Sequence, residues 1–263
     1  MSKPGQSPAP AGVAVLLLCL IALASAHAAA EGDAVLRGRE VYIAEGCINC
    51  HSQYVRPQVA TDVERWGPAS SPAERHEESP PLLGNRRDGP DLANVGLRRS
   101  PAWNRLHLLN PAAISPGSVM PTYAHLFAAG DPRGPDLVAY LGSLGRERME
   151  ERNDFIARWR PATTTDNLTA AGPLFATLCI ACHGPAGHGD GTMSAALVPA
   201  PPDWTRGPRY RPATGEDELL FLARLIKFGL PNSPMAGHEY LPDSEVLGLA
   251  RYVQSLQAAA PRP

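Results

Sequence analysis

Two short segments concentrate the reactive side chains of this chain: Cys47-Ile48-Asn49-Cys50-His51 and Cys179-Ile180-Ala181-Cys182-His183. Two thiols at this spacing can bind zinc, cycle as a disulfide or take two thioether bonds, and the histidine directly after the second thiol separates these chemistries. In C-x-x-C-H the thiols add to the two vinyl groups of a porphyrin, and the next side chain lies beneath the iron as its proximal ligand. Zinc would need four protein ligands, which the two pairs could supply jointly as thiolates, leaving both histidines coincidental. A thioredoxin-like disulfide would want a βαβ setting that the sequence lacks. Two such motifs in one chain, each with a methionine downstream, favour two covalently attached haem c groups. Cys47, Cys50, Cys179 and Cys182 are then the attachment points, and His51 and His183 the proximal iron ligands.

The sixth ligands follow by elimination. Beyond the N-terminal region the chain offers Met120, Met149, Met193 and Met235. Only Met120 and Met235 sit in proline loops shortly before a closing helix, at matching places in a repeat. His125 and His238 are nearby rivals as axial ligands, and core filling is the ordinary role of a methionine. Met149 lies in a charged stretch and reads as solvated; Met193 reads as packing beneath a haem edge. A neutral thioether opposite histidine stabilises reduced iron and raises its potential. Two six-coordinate irons leave no open position for a substrate, so the expected activity is electron transfer, tuned by burial and hydrogen bonds around the ligands. His51 and His183 are each expected to be fixed through the second ring nitrogen by a backbone carbonyl from the coil after the motif.

Behind these residues stands a repeated frame. "GREVYIAEGCINCH" (38–51) leads to "PGSVMPTY" (116–123) and "DLVAYLGSLG" (136–145); "GPLFATLCIACH" (172–183) leads to "PNSPMAGHEY" (231–240) and "EVLGLARYVQSL" (245–256). Each half has a helix ending at the motif, a Pro/Gly-rich middle, a methionine loop and a closing helix. Leu137, Val138, Tyr140, Leu141 and Leu144 recur at helical spacing, as do Val246, Leu249, Ala250, Val253 and Leu256. No segment alternates as a strand. With 28 prolines and 24 glycines in 263 residues, the expected architecture is all-α: two tandem cytochrome c domains of short helices and long Pro/Gly-rich loops.

The boundaries read as 1–30 for an N-terminal signal peptide or membrane anchor, 31–146 for the first domain, 147–167 for a linker and 168–258 for the second. In 1–30 the apolar run from Ala11 ends in small residues that fit export cleavage at Ala24-Ser25-Ala26; extended to Ala30 it nears the length of an anchor. In 146–167 the charged first part reads as prolonging the preceding helix, and Pro161 with Thr163 to Asp166 as linker. The polar stretch 69–80 reads as a surface insertion. A formal net charge of -2, with no basic cluster free of acids, argues against nucleic acid as a partner.

The first half carries more than a haem motif. "YIAEGCINCHSQYVRP", "ERWG" (64–67), "RRDGPDLANVGLR" (86–98), "WNRLHLLNP" (103–111) and "SVMPTYAHL" (118–126), in this order, resemble the monohaem subunit II of cbb3-type cytochrome oxidases. The resemblance implies haem attachment at Cys47, Cys50 and His51 and Met120 as distal ligand, and marks Arg56 and Arg98 for contacts to propionates or a partner subunit. Trp66 and Trp103 read as packing residues. The chain departs from that family in its second haem domain and in Asn104, where the family usually shows histidine. The second half, 169–256, resembles the broad class I cytochrome c group, including the "CHGPAGHGDG" loop, in which His188 reads as solvent-facing.

These readings together lead to an exported protein, periplasmic or at the periplasmic face of the cytoplasmic membrane. It is expected to relay single electrons as a subunit of, or donor to, a membrane haem-copper oxidase, or to serve other respiratory redox proteins. Electrons would come from a donor cytochrome or quinol-oxidising complex, and membrane association would come through the anchor or the complex. An independent dihaem carrier serving a dehydrogenase and a dihaem peroxidase are the alternatives.

Overall fold

The computed structural model describes residues 11–71, 73, 79–84, 86–206, 212, 214–230 and 233–258; within 11–28 the only side chain described is that of Leu16. The chain is all-α. Among the described residues no strand forms, and the extended backbone reaches only one isolated antiparallel bridge, Gly229 to Ala236. The reading of 1–30 as signal peptide or anchor falls almost wholly outside the described side chains, and the insertion at 69–80 falls partly outside the described residues. Among the described residues no helix is long and apolar enough to cross a membrane.

The first half is built on helix α1 (Ala11–Ala44). Its C-terminal part packs against the closing helix, which we label α6 (Arg133–Ser143). The two approach at Gly38, where an added Cβ would come within 1.9 Å of Asp136 O and 2.7 Å of Tyr140 Cβ. Arg37 reinforces the crossing with two hydrogen bonds to Asp136, at 2.7 and 3.0 Å. Val41, Tyr42, Leu137, Tyr140 and Leu141 fill the seam and continue into Leu82, Val95, Leu108 and Leu126. Among the described residues, the short helices between α1 and α6 include α2 (Ala60–Trp66), α3 (Val95–Arg98), α4 (Pro101–Leu109) and α5 (Pro111–Ile114). Ser100 starts α4 by accepting from Trp103 N–H, with proline in the first turn, where a missing N–H costs nothing.

The charged stretch after Leu144 does not prolong α6. Gly145 takes φ 80 and turns the chain through a 3-10 turn (Arg146–Arg148) into a separate helix, α7 (Met149–Arg158). Phe155 and Ile156 of α7 and the following Trp159 pack into the core of the second half. Met149 is not solvated: it is half-buried at the start of α7 and lines a small cleft with Phe228 and Leu230.

The second half comprises α8 (Leu168–Leu178), α9 (Ile180–His183), α10 (Glu218–Phe228) and α11 (Asp243–Ala258). Asn167 and Asp217 cap α8 and α10 with side-chain oxygens. Phe175, Ala223, Ile226, Val246, Leu249, Ala250 and Val253 form the buried core. Gly248 of α11 lies where a Cβ would come within 2.4 Å of Asn167 O, so α8 enters close against the closing helix. Both halves thus bring the closing helix onto the helix that precedes the cysteine motif through a glycine contact.

Candidate haem sites

Both motifs follow their helix rather than lying inside it. In the first, Gly46 at φ 70 ends α1 and the motif coils into a 3-10 turn; in the second, α8 ends at Leu178 and Cys179 to His183 form one further turn. The backbone bonds then repeat. His51 N–H donates to Cys47 O at 3.0 Å and His183 N–H to Cys179 O at 2.9 Å; Cys50 and Cys182 donate to the same two carbonyls at 3.2 Å. In both motifs one hydrogen-bonded turn carries the two thiols and the imidazole, the local arrangement that two thioethers and a ligand to one ring require.

All four thiols are free. Burial pushes Cys47 and Cys179 up to about 12, so neither of these two thiols is a ready thiolate. Among the described residues no three or more His, Cys, Asp or Glu side chains gather as a set able to hold a metal ion. The two CxxC pairs therefore do not converge on one tetrahedral zinc site.

His51 Nδ1 lies 2.8 Å from Pro90 O. A carbonyl only accepts, so Nδ1 carries the proton and Nε2 keeps its lone pair for iron. The ring also rests on Gly89, where a Cβ would come within 2.3 Å of it. The orienting carbonyl is thus supplied 39 residues downstream, by the Gly89-Pro90-Asp91 turn, and not by the coil directly after the motif. Asp91 fixes that turn: its carboxylate accepts from Ser52 Oγ at 2.5 Å, Tyr54 N–H at 2.8 Å and Ala93 N–H at 2.9 Å. His183 differs. Its Nδ1 is buried and has no partner among the described residues, and the ring is held by stacking on Trp204 at 4.3 Å. Burial lowers the affinity of both rings for protons, His183 to about 4. Both are neutral near pH 7, the form that binds metal.

Met120 and Met235 are half-buried, Met120 against the first core. Each sits two residues after a serine whose hydroxyl accepts its N–H, from Met120 to Ser118 Oγ at 3.2 Å and from Met235 to Ser233 Oγ at 3.1 Å. This Ser-x-Met turn is visible in "SVM" and "SPM" and escaped the motif reading. Of the rival ligands, His125 is exposed and paired with Glu45 at 3.2 Å. His238 is half-buried, pushed down to about 4, and close enough to act on His183 electrostatically. The first site has its own second histidine, His107, also missed by sequence: it stacks on Trp103 at 4.6 Å and feels His51. Asn104 is buried on the same helix, its Nδ2 without a partner among the described residues.

The arginines marked by resemblance are not free surface charges. Arg56 makes a fork to Asp62 at 2.6 and 2.9 Å, joined by Arg87 at 2.7 Å. Hydrogen bonds from Arg56 and Arg87 hold the Asp62 carboxyl down to about 2. Arg98 is buried, donates to Asp91 O at 2.6 Å, lies 5.1 Å over the Trp66 ring and faces Glu239 of the second half. Trp66 and Trp103 serve as platforms under Arg98 and Arg99. His188 is exposed, 3.4 Å from Asp203.

The two hydrogen-bonded CxxCH turns and their neutral imidazoles supply the donor chemistry that haem c requires. Residues 29–132 match the family described as "Cytochrome C oxidase, mono-heme subunit/FixO". Residues 170–257 match the cytochrome c family. No curated protein matches the chain. A solved structure, the reducing HAO-like protein complex of Kuenenia stuttgartiensis, matches at 20% identity over 84% of this chain and 95% of that chain. Its TM-score of 0.31 is too low to support any inference about this fold. The two family matches thus fall one on each half, the mono-heme cytochrome c oxidase subunit (FixO) model on the first and the cytochrome c model on the second, and both support covalently bound haem c and haem-based electron transfer.

Proposed function

We propose that the chain carries two covalent haem c groups and passes single electrons as a subunit of, or direct donor to, a membrane haem-copper oxidase of the cbb3 type. The observation that carries this reading is the repeat itself: the same hydrogen-bonded CxxCH turn and the same Ser-x-Met turn in both halves. Cys47 and Cys50 would attach the first haem, with His51 and Met120 as its iron ligands; Cys179, Cys182, His183 and Met235 would do the same for the second. The working units are 31–146 and 168–258, joined by 147–167, after an export signal or anchor in 1–30, with the protein in the periplasm or on the periplasmic face of the membrane.

When bound, each haem supplies a one-electron centre. The chain's part is to fix the ligands and keep water away. Pro90 O and Gly89 orient His51, Trp204 orients His183, and the serine turns preset the methionine backbones. Burial holds both imidazoles neutral, so ligation needs no proton release near pH 7. With a histidine and a methionine both committed to each iron, a bound haem would offer no position to a substrate, which favours electron transfer over a peroxidase.

The haem-to-protein ratio of the purified chain is expected to be two, and a ratio of one would overturn the repeat argument. Replacing Met120 or Met235 by alanine should lower one midpoint potential and leave the other in place, because loss of the thioether removes its preference for reduced iron. Affinity isolation from gently solubilised native membranes should recover haem-copper oxidase subunits; recovery of a dehydrogenase alone would replace the oxidase reading with that of an independent carrier.

A further inference from the structure

The two methionine loops are anchored differently. The Met120 loop is tied within its own half, by Tyr123 N–H to Leu108 O at 2.8 Å and Thr122 Oγ1 to Leu109 O at 2.8 Å. The Met235 loop is also tied locally, through Leu230 N–H to Met235 O and His238 N–H to Ile226 O. In addition it is gripped from the other half. Arg99 donates through Nη2 to Gly237 O at 3.0 Å and to Glu239 Oε2 at 3.0 Å, and through Nη1 to Glu239 Oε1 at 3.2 Å. Gly237 and Glu239 stand two and four residues after Met235.

The grip is buried and specific. The Glu239 side chain is 1% exposed, and Arg98 and Arg152 approach the same carboxylate at 3.9 and 3.7 Å, themselves 1% and 2% exposed. Burial alone would raise the Glu239 carboxyl, but the charges of Arg99, Arg98 and Arg152 outweigh it and hold it down to about 2. Arg99 is rooted in the first haem site. It donates to Arg98 O at 2.9 Å, Arg98 donates to Asp91 O at 2.6 Å, and the Asp91 carboxylate is held by Ser52, the neighbour of His51.

We propose that Arg99 and Glu239 are positioning residues for the second haem: the first half holds the loop that presents Met235, so the second site's distal ligation depends on the junction between halves. This rests on the assignment of Met235 as an iron ligand. A bidentate guanidinium on a carboxylate fixes both distance and orientation, which an ammonium cannot do.

The test uses the full haem-loaded chain and the variants Arg99→Leu, Arg99→Lys and Glu239→Gln. The readouts are the two midpoint potentials and the methionine-to-iron charge-transfer absorption of the ferric protein. Positioning predicts that all three variants lower the same one of the two potentials and weaken that absorption by about half, with the other potential unmoved. A purely through-space charge effect predicts opposite signs for Arg99→Leu and Glu239→Gln and no change for Arg99→Lys, and would overturn the proposal. Unmoved potentials in all three would also overturn it. Should Glu239→Gln fail to fold, the less buried and charge-conserving Arg99→Lys still decides, and the unmoved potential is the internal control. Failure of the underlying reading is distinguishable, because the unaltered protein would then lack two haems, or Met235→Ala would leave both potentials in place.

Discussion

At the scale of single residues, Gly89 tests the first site most sharply. An alanine Cβ there would lie 2.3 Å from His51 Cε1, and the ring has nowhere to yield without losing its bond to Pro90 O. Gly89→Ala is expected to cost about 1–3 kcal/mol, the range for overpacking a fitted site, and to perturb the optical spectrum and potential of one haem only. Thermal unfolding and redox titration of the loaded protein check both parts. The cysteines, the histidines that follow them and both loop methionines could be singled out because the CxxCH and methionine-loop patterns are local, in fixed spacing. Pro90, Trp204 and His107 were not. Their roles depend on which loop folds back beneath each imidazole, and nothing in the spacing distinguishes a carbonyl 39 residues away from any other.

At the scale of elements, the crossing of α1 and α6 carries the first half. Gly38 and Gly32 both lie on α1, yet alanine should act on them in opposite directions. At Gly38 the new methyl meets Asp136 O at 1.9 Å and forces the helices apart; at Gly32 nothing lies within 4 Å. Gly38→Ala is therefore expected to destabilise by about 3 kcal/mol, and Gly32→Ala to stabilise by about 0.5–1 kcal/mol through helix propensity. Denaturant unfolding of the two variants against the parent gives both signs. The closing helices were readable from apolar periodicity, since Leu137, Tyr140 and Leu141, like Val246, Leu249, Ala250 and Val253, form continuous buried faces. The fate of the segment after Leu144 was not. Charged residues at helical spacing fit a prolonged helix equally well, and only the left-handed turn at Gly145 decides for a separate α7.

At the scale of the whole molecule, the two halves meet through charges rather than through apolar surface alone. Around Glu239 stand Arg98, Arg99 and Arg152, with half-buried His238 adjacent; beside them Lys227 bonds Glu64 of the first half and Asp243 of the second, both at 2.9 Å. No sequence pattern joins Arg99 to a glutamate 140 positions on, and both would pass for ordinary surface charge. Burial makes the pairing consequential, because removing one partner leaves the others desolvated and unpaired. Glu239→Gln is expected to cost about 3 kcal/mol near pH 7. Its acid dependence follows from the depressed carboxyl. Folded Glu239 titrates at about 2 and an unfolded glutamate at about 4.3, so between these values the unfolded chain binds more protons. The stabilisation is complete above the unfolded value and is lost as pH falls towards about 2. The neutral His238 shifts stability in the same direction over a higher range, because its folded value near 4 lies below the ordinary value of about 6.5. Comparing parent with Glu239→Gln separates the two by range, since His238 is present in both and the Glu239 charge is the smallest of the influences on it. The difference in unfolding free energy should be constant from about pH 7 to about pH 5 and close between about pH 4 and pH 2. A difference that closed between about pH 6.5 and pH 4 would assign the acid sensitivity of the junction to the histidine instead.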